Sequence, residues 1–108
     1  MNNTISGLYE IILQRKGNAP DGSYTKYLFD QGLDKILKKV GEESTETVIA
    51  AKNNDHDGTV NEVCDLFYHL LILLAQQDIH IDEVTAVLEE RRQKTGNLKQ
   101  IKTVDKNT

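Results

Sequence analysis

The sequence has one cysteine, one proline and no tryptophan. With Cys64 alone, no disulfide closes within the chain and no cysteine-based zinc site forms. That usage fits a reducing compartment. An excess of positive charge is also missing: 13 Lys and Arg stand against 17 Asp and Glu, for a net charge of −4. No basic run offsets this, so the chain is a poor candidate for binding nucleic acid by bulk electrostatics. A small anionic substrate stays open, provided a metal or a local basic cluster handles its charge. The first 17 residues hold no apolar stretch of signal-peptide type. The longest unbroken apolar run, residues 70–75, is far short of the roughly 18–20 residues that span a bilayer. The expectation is a cytoplasmic protein with neither nucleic acid nor membrane as partner.

What is present is an ordinary globular composition, 38% hydrophobic and 28% charged over 108 residues. That length suits one domain with a small core. Alternating strand patterns are scarce, and five segments carry helical periodicity instead. The first spans residues 5–16, with Ile5, Leu8, Ile11, Ile12 and Arg15 at helical spacing. Residues 17–22 hold the proline and form a loop. Ser23 is a plausible N-cap for a short second helix to Gln31, which Gly32 ends. Asp34 caps a third helix reaching Asn53, with apolar positions Leu33, Ile36, Leu37, Val40, Val48 and Ala51. A fourth runs from about Thr59 to Gln77, and a fifth from an Asp82 cap to Thr95, stopped by Gly96. The domain is therefore read as residues 1–96, with 97–108 a polar C-terminal tail.

From Leu66 to Ala75 the fourth helix is apolar nearly all round. Such a helix is buried on every side, and five short helices can hardly surround it alone. A second copy of the chain supplies the missing cover, giving an all-α bundle completed by homodimerisation.

The third and fourth helices each carry an acidic pair at i, i+3: Glu43 with Glu46, and Glu62 with Asp65. This spacing places each pair on one side of its helix. Counted from Ile36, Glu43 and Glu46 lie beside the apolar stripe, toward the helix–helix seam. Like charges at this spacing repel, and near a core they lose solvation as well. A divalent cation offsets both costs. An all-oxygen cage suits Mg²⁺ first and Mn²⁺ next, not zinc.

Blander readings stand beside this one. Glu42, Glu43 and Glu46 also read as a solvated face, and Thr59 to Glu62 matches a capping box, in which Glu62 only bonds a helix N-terminus. Gly41, a costly mid-helix residue, marks either a close approach or a kink. The stretch from Asn53 to Cys64 begins like an EF-hand loop, but Cys64 stands where a bidentate Glu is required. No Glu has a His three residues later, which excludes a di-iron carboxylate bundle.

Glu42, Glu43 and Glu46, then fifteen residues, then Glu62 and Asp65 resemble the signature of the all-α nucleoside triphosphate pyrophosphohydrolases, the MazG-like superfamily. Three further segments are similar to the phosphoribosyl-ATP pyrophosphohydrolase family of histidine biosynthesis. They are Arg15-Lys16 with Pro20 to Thr25, Lys38 to Glu43, and Asp65 to Leu71. The resemblance covers about residues 5–92. Ser44 and Cys64 stand where the family has alanine, and both are small enough for a helix seam. No cyclohydrolase domain precedes the motifs, so the stand-alone form is expected.

The resemblance implies Mg²⁺-dependent hydrolysis of phosphoribosyl-ATP to phosphoribosyl-AMP and pyrophosphate in a cytoplasmic homodimer. Carried over residue by residue, Glu43, Glu46, Glu62 and Asp65 hold the metal. Glu42 is the general base or an outer ligand. Lys39 reaches a phosphate or pairs with Glu43. Arg15 and Lys16, like Arg91 and Arg92, are phosphate contacts or solvated helix ends. Ser23 and Tyr24 contact substrate, unless Ser23 is simply an N-cap. His69 steadies the Asp65 carboxylate or is a satisfied core histidine. Two rivals remain: a house-cleaning enzyme acting on free dNTPs with the same metal site, and a non-catalytic helical dimerisation module.

Overall fold

A computed structural model describes residues 3–18, 20, 22–94 and 99. Among these there are five helices and no strand: α1 (Thr4–Gly17), α2 (Tyr24–Gln31), α3 (Leu33–Lys52), α4 (His56–Gln76) and α5 (Ile81–Arg92). The expected all-α architecture is what forms. The expected stop at Thr95 and Gly96, and the tail 97–108 apart from residue 99, lie outside the described residues.

The helix ends follow local chemistry, in places other than the sequence suggests. Ser23 caps α2, its hydroxyl accepting from the Lys26 N–H at 3.2 Å. Asp34 does not cap α3. Gly32 does, at φ 92° and ψ −175°, a conformation essentially reserved for glycine. Asp34 sits in the first turn, where its charge favours the helix dipole. The cap of α4 is Asp55, not Thr59; its Oδ1 accepts from the Gly58 N–H at 3.0 Å. The EF-hand look-alike is this cap. For α5 the cap is His80, whose Nδ1 accepts from the Asp82 N–H at 3.1 Å, while the Glu83 carboxylate accepts from the His80 N–H at 2.9 Å. Asn54 and Asp78, both at φ 57°, end α3 and α4 with left-handed residues where glycine is commoner.

The buried core takes something from every helix: Tyr9 and Ile12 of α1, Leu28 of α2, Ile36 of α3, Leu71, Ile72 and Ala75 of α4, and Ile81 of α5. On α1 the buried face is Tyr9 and Ile12, while Ile5 and Ile11 are exposed. The Tyr9 hydroxyl donates to the Ile79 carbonyl at 2.7 Å, tying α1 to the turn before α5. Lys16 donates to the Ala75 carbonyl at 2.8 Å and pairs with Asp78 at 3.3 Å, so it fastens the C-terminal end of α4.

By length and hydropathy α4 passes for a bilayer span, yet it supplies three of the eight buried apolar residues. Its other side stays open. Val60, Cys64 and Phe67, at i, i+4 and i+7, are exposed, with Leu70 beside them. The described residues of one copy do not close around α4.

Candidate metal centre

The turn at residues 53–55 folds α4 back along α3, and these two helices make the most extensive contact in the molecule. That hairpin brings both acidic pairs to one seam. One carboxylate oxygen each from Glu43, Glu62 and Asp65 lies within 4.8 Å of the others. Oxygens opposite one another on an ion bound at about 2.1 Å stand roughly 4.2 Å apart, so the triad has the dimensions of a single hard-cation site. Glu46, the fourth expected ligand, is outside this tight triad; it is exposed and faces Glu62 from the edge of the cluster.

Because α4 begins at His56, Glu62 sits nearly two turns inside the helix. It has no role in a cap. Glu43 is only 7% exposed. Oε2 of Glu43 and Oε2 of Glu62 are buried without a hydrogen-bond donor. Buried carboxylate oxygens without donors are costly, and the cost shows in the acidities. The close carboxylate of Glu43, then that of Glu46, together with lost hydration and the neighbouring charges, pushes Glu62 up to about 7. Burial pushes Glu43 up as well; its contact with the Glu62 carboxyl opposes this, and the charges of Glu46 and Asp65 add to it. A group that supplies positive charge, and no proton, relieves all of these at once. The donor set is all-oxygen and suits Mg²⁺ or Mn²⁺.

The other expected residues fall around this cluster. Glu42 is apart from it, accepting from Lys39 at 3.0 Å with Lys38 at 3.9 Å. The Lys39 bond holds Glu42 below the usual carboxylate range and raises Lys39. The alternative pairing of Lys39 with Glu43 does not form; at i, i+3 Glu42 is the nearer partner. Arg15 is exposed in the last turn of α1, where a cation complements the helix dipole. Ser23 spends its hydroxyl on the α2 cap. Tyr24, 44% exposed, is close enough to the cluster that Lys39 and Glu43 both act on its phenol, which burial pushes up. Arg92 pairs with Glu89 at 2.6 Å, as a solvated helix end does.

His69 is 4% exposed and fully bonded. Its Nδ1 meets the backbone carbonyl of Asp65, not the carboxylate, at 2.7 Å, and its Nε2 meets the Tyr24 hydroxyl at 3.0 Å. Sequence reasoning missed this tyrosine partner, because residues 24 and 69 share no spacing. Among the described residues nothing lies within 4 Å of the place a Gly41 Cβ would occupy, so no close approach by them explains it. An open cleft of about 240 Å³ adjoins the cluster, lined by Glu46 and Glu62 with Ile49, Ala50 and Asn53. It is smaller than the ~300–1,000 Å³ of a typical ligand pocket.

Comparison with known proteins identifies the family. The family model for phosphoribosyl-ATP pyrophosphohydrolase matches residues 5–92. A phosphoribosyl-ATP pyrophosphatase of Clostridium botulinum (strain Hall) is 50% identical over 106 residues, covering 97% of this chain and 96% of its own. One from Listeria welshimeri is 52% identical over 101 residues, covering 94% and 97%. The histidine biosynthesis bifunctional protein HisIE of Halalkalibacterium halodurans is 59% identical over 87 residues, which are 81% of this chain and 41% of that protein.

Proposed function

The chain belongs to the phosphoribosyl-ATP pyrophosphohydrolase family, and we propose that the Glu43–Glu62–Asp65 cluster is where it performs that hydrolysis with a bound Mg²⁺. The reaction is a step of histidine biosynthesis: water is added across the anhydride between the α- and β-phosphates, and phosphoribosyl-AMP and pyrophosphate leave. The observation that carries the assignment is the pair of buried oxygens on Glu43 and Glu62 that no donor reaches.

Glu43, Glu62 and Asp65 would hold the ion, with Glu46 completing the set from the exposed edge. When bound, the cation neutralises charge on the triphosphate and on the departing pyrophosphate. Lys39 turns from Glu42 to a phosphate oxygen as the substrate enters. That exchange frees the Glu42 carboxylate to accept a proton from the attacking water. Arg15, at the end of α1, adds positive charge for the same polyphosphate. Tyr24 and Ser23, at the start of α2, contact the substrate on the α2 side of the cluster.

The working unit is a homodimer in a cytoplasmic setting. The open stripe of Val60, Cys64, Phe67 and Leu70 supports a second copy as its cover. The small cleft in one chain supports a site enlarged by that partner. A house-cleaning reading would use the same carboxylates, so the substrate decides between them. Pyrophosphate release is measured on phosphoribosyl-ATP beside a panel of dNTPs, with Mg²⁺ and with chelator. Strong release from phosphoribosyl-ATP with Mg²⁺ alone is expected; a preference for dNTPs overturns the reading.

A further inference from the structure

Three hydrogen-bonding groups form a line from α4 to α2. The Asp65 carbonyl can only accept, so His69 Nδ1 carries a hydrogen and donates to it at 2.7 Å. In the neutral ring, Nε2 is then the bare acceptor, and the Tyr24 hydroxyl donates to it at 3.0 Å. The tautomer of His69 is thus set by the backbone of Asp65. The Tyr24 ring is also stacked on Tyr27 and on Tyr68, at 6.1 Å and 24° in each case. Stacking fixes the plane of a ring but lets it slide within that plane. The bond to His69 removes this freedom.

A leucine at position 69 would fill the same buried space without the cost of desolvating two ring nitrogens. What the histidine adds is a single well-defined acceptor for Tyr24. Tyr24 is 44% exposed, and through His69 it is tied to the backbone of Asp65, a member of the carboxylate cluster. We propose that His69 is a positioning residue, which holds the Tyr24 phenol in one orientation at the edge of the carboxylate cluster, where it meets the nucleotide. The proposal rests on the reading that Tyr24 contacts substrate.

The test is steady-state kinetics on phosphoribosyl-ATP with Mg²⁺ for Y24F, H69N, H69Q and Y24F/H69N, each with a thermal melt. An asparagine amide reaches the Nδ1 position but not the Nε2 position, whereas glutamine places its amide near Nε2. Expected is a KM raised about tenfold in H69N with kcat within about twofold, the pattern of a lost binding contact. H69Q should recover most of that loss. Y24F should match H69N, and the double variant should be no worse than either, because the two side chains act as one unit. An H69N protein with a lowered melting temperature and an unchanged KM shows a purely structural histidine and overturns the proposal. A raised KM in Y24F alone also overturns it while leaving Tyr24 as a substrate contact. An unchanged KM in Y24F removes the contact itself, and the proposal with it. A measurement on the wild-type chain does not depend on the variants folding: ¹⁵N-histidine NMR should find His69 as the Nδ1–H tautomer, and the Nε2–H tautomer contradicts the proposal.

Discussion

Glu43 of α3 and Glu62 of α4 face each other across the helix seam, each with one buried oxygen that no donor reaches. Elsewhere among the described residues, buried and part-buried polar side chains find partners: Tyr9 with Ile79, Lys16 with Ala75, and Thr25 with Tyr68. Two like charges placed together without a donor destabilise the folded chain unless something is bound between them. The fold therefore keeps an internal cost at the place where the chemistry is proposed to occur.

That cost has a sign in pH. Glu62 is raised to about 7 and Glu43 is raised too, so between about pH 4.5 and 7 the folded chain binds more protons than the unfolded one. Stability from these groups is present at low pH and is lost as pH rises through that window. Metal-free protein in chelator should melt at a higher temperature at pH 5 than at pH 8 on this account, and E62Q should flatten the difference and stabilise the protein at pH 8. Thermal melts of both proteins across the range check this. Equal slopes would mean that Glu62 is not strained.

Replacing a ligand should separate function from fold. E43Q and D65N remove charge without removing volume. Turnover should fall by more than the roughly 10–100-fold typical of groups that only support a metal ligand. The helical circular dichroism should stay close to wild type. Mg²⁺ should raise the melting temperature of wild type and not of these variants. Normal turnover in either would strike that residue from the ligand set.

Ser23 carries two assignments that one pair of variants can part. As a cap, S23A should cost about 1 kcal/mol of stability, and S23N should restore most of it. If the hydroxyl also touches substrate, KM rises in both variants, whatever their stability. A KM that stays at the wild-type value in S23N leaves only the cap.

Phe67 is 49% exposed in the middle of an apolar stripe. In the dimer proposed here it is covered by the second copy, and F67E would bury a charge in that interface. Sedimentation velocity should find wild type as a dimer and F67E shifted to monomer with its helical spectrum retained. A monomeric wild type would remove the dimer from the account.

Much of this was legible in the sequence, for reasons that can be named. The helices were, because 3.6-residue periodicity survives in each, and so was the convergence of Glu43, Glu62 and Asp65 on one seam, because i, i+3 spacing fixes a shared face; Glu46 lies outside that triad. Helix starts were less so. Asp55 and His80 cap by side-chain geometry that competes with equally good candidates nearby, Thr59 and Asp82. On α1 the helical spacing of apolar residues did not single out Tyr9, which is buried with its hydroxyl bonded to Ile79, a contact seventy residues away. The partners of Lys39 and His69 were open for the same reason: a side chain chooses among neighbours that only the packed helices define.

The most direct measurement is anomalous diffraction from crystals grown with Mn²⁺. The account predicts a single dominant peak bonded to carboxylate oxygens of Glu43, Glu62 and Asp65, absent from D65N crystals. A map with no peak at that seam, and with those side chains turned into solvent, would contradict it.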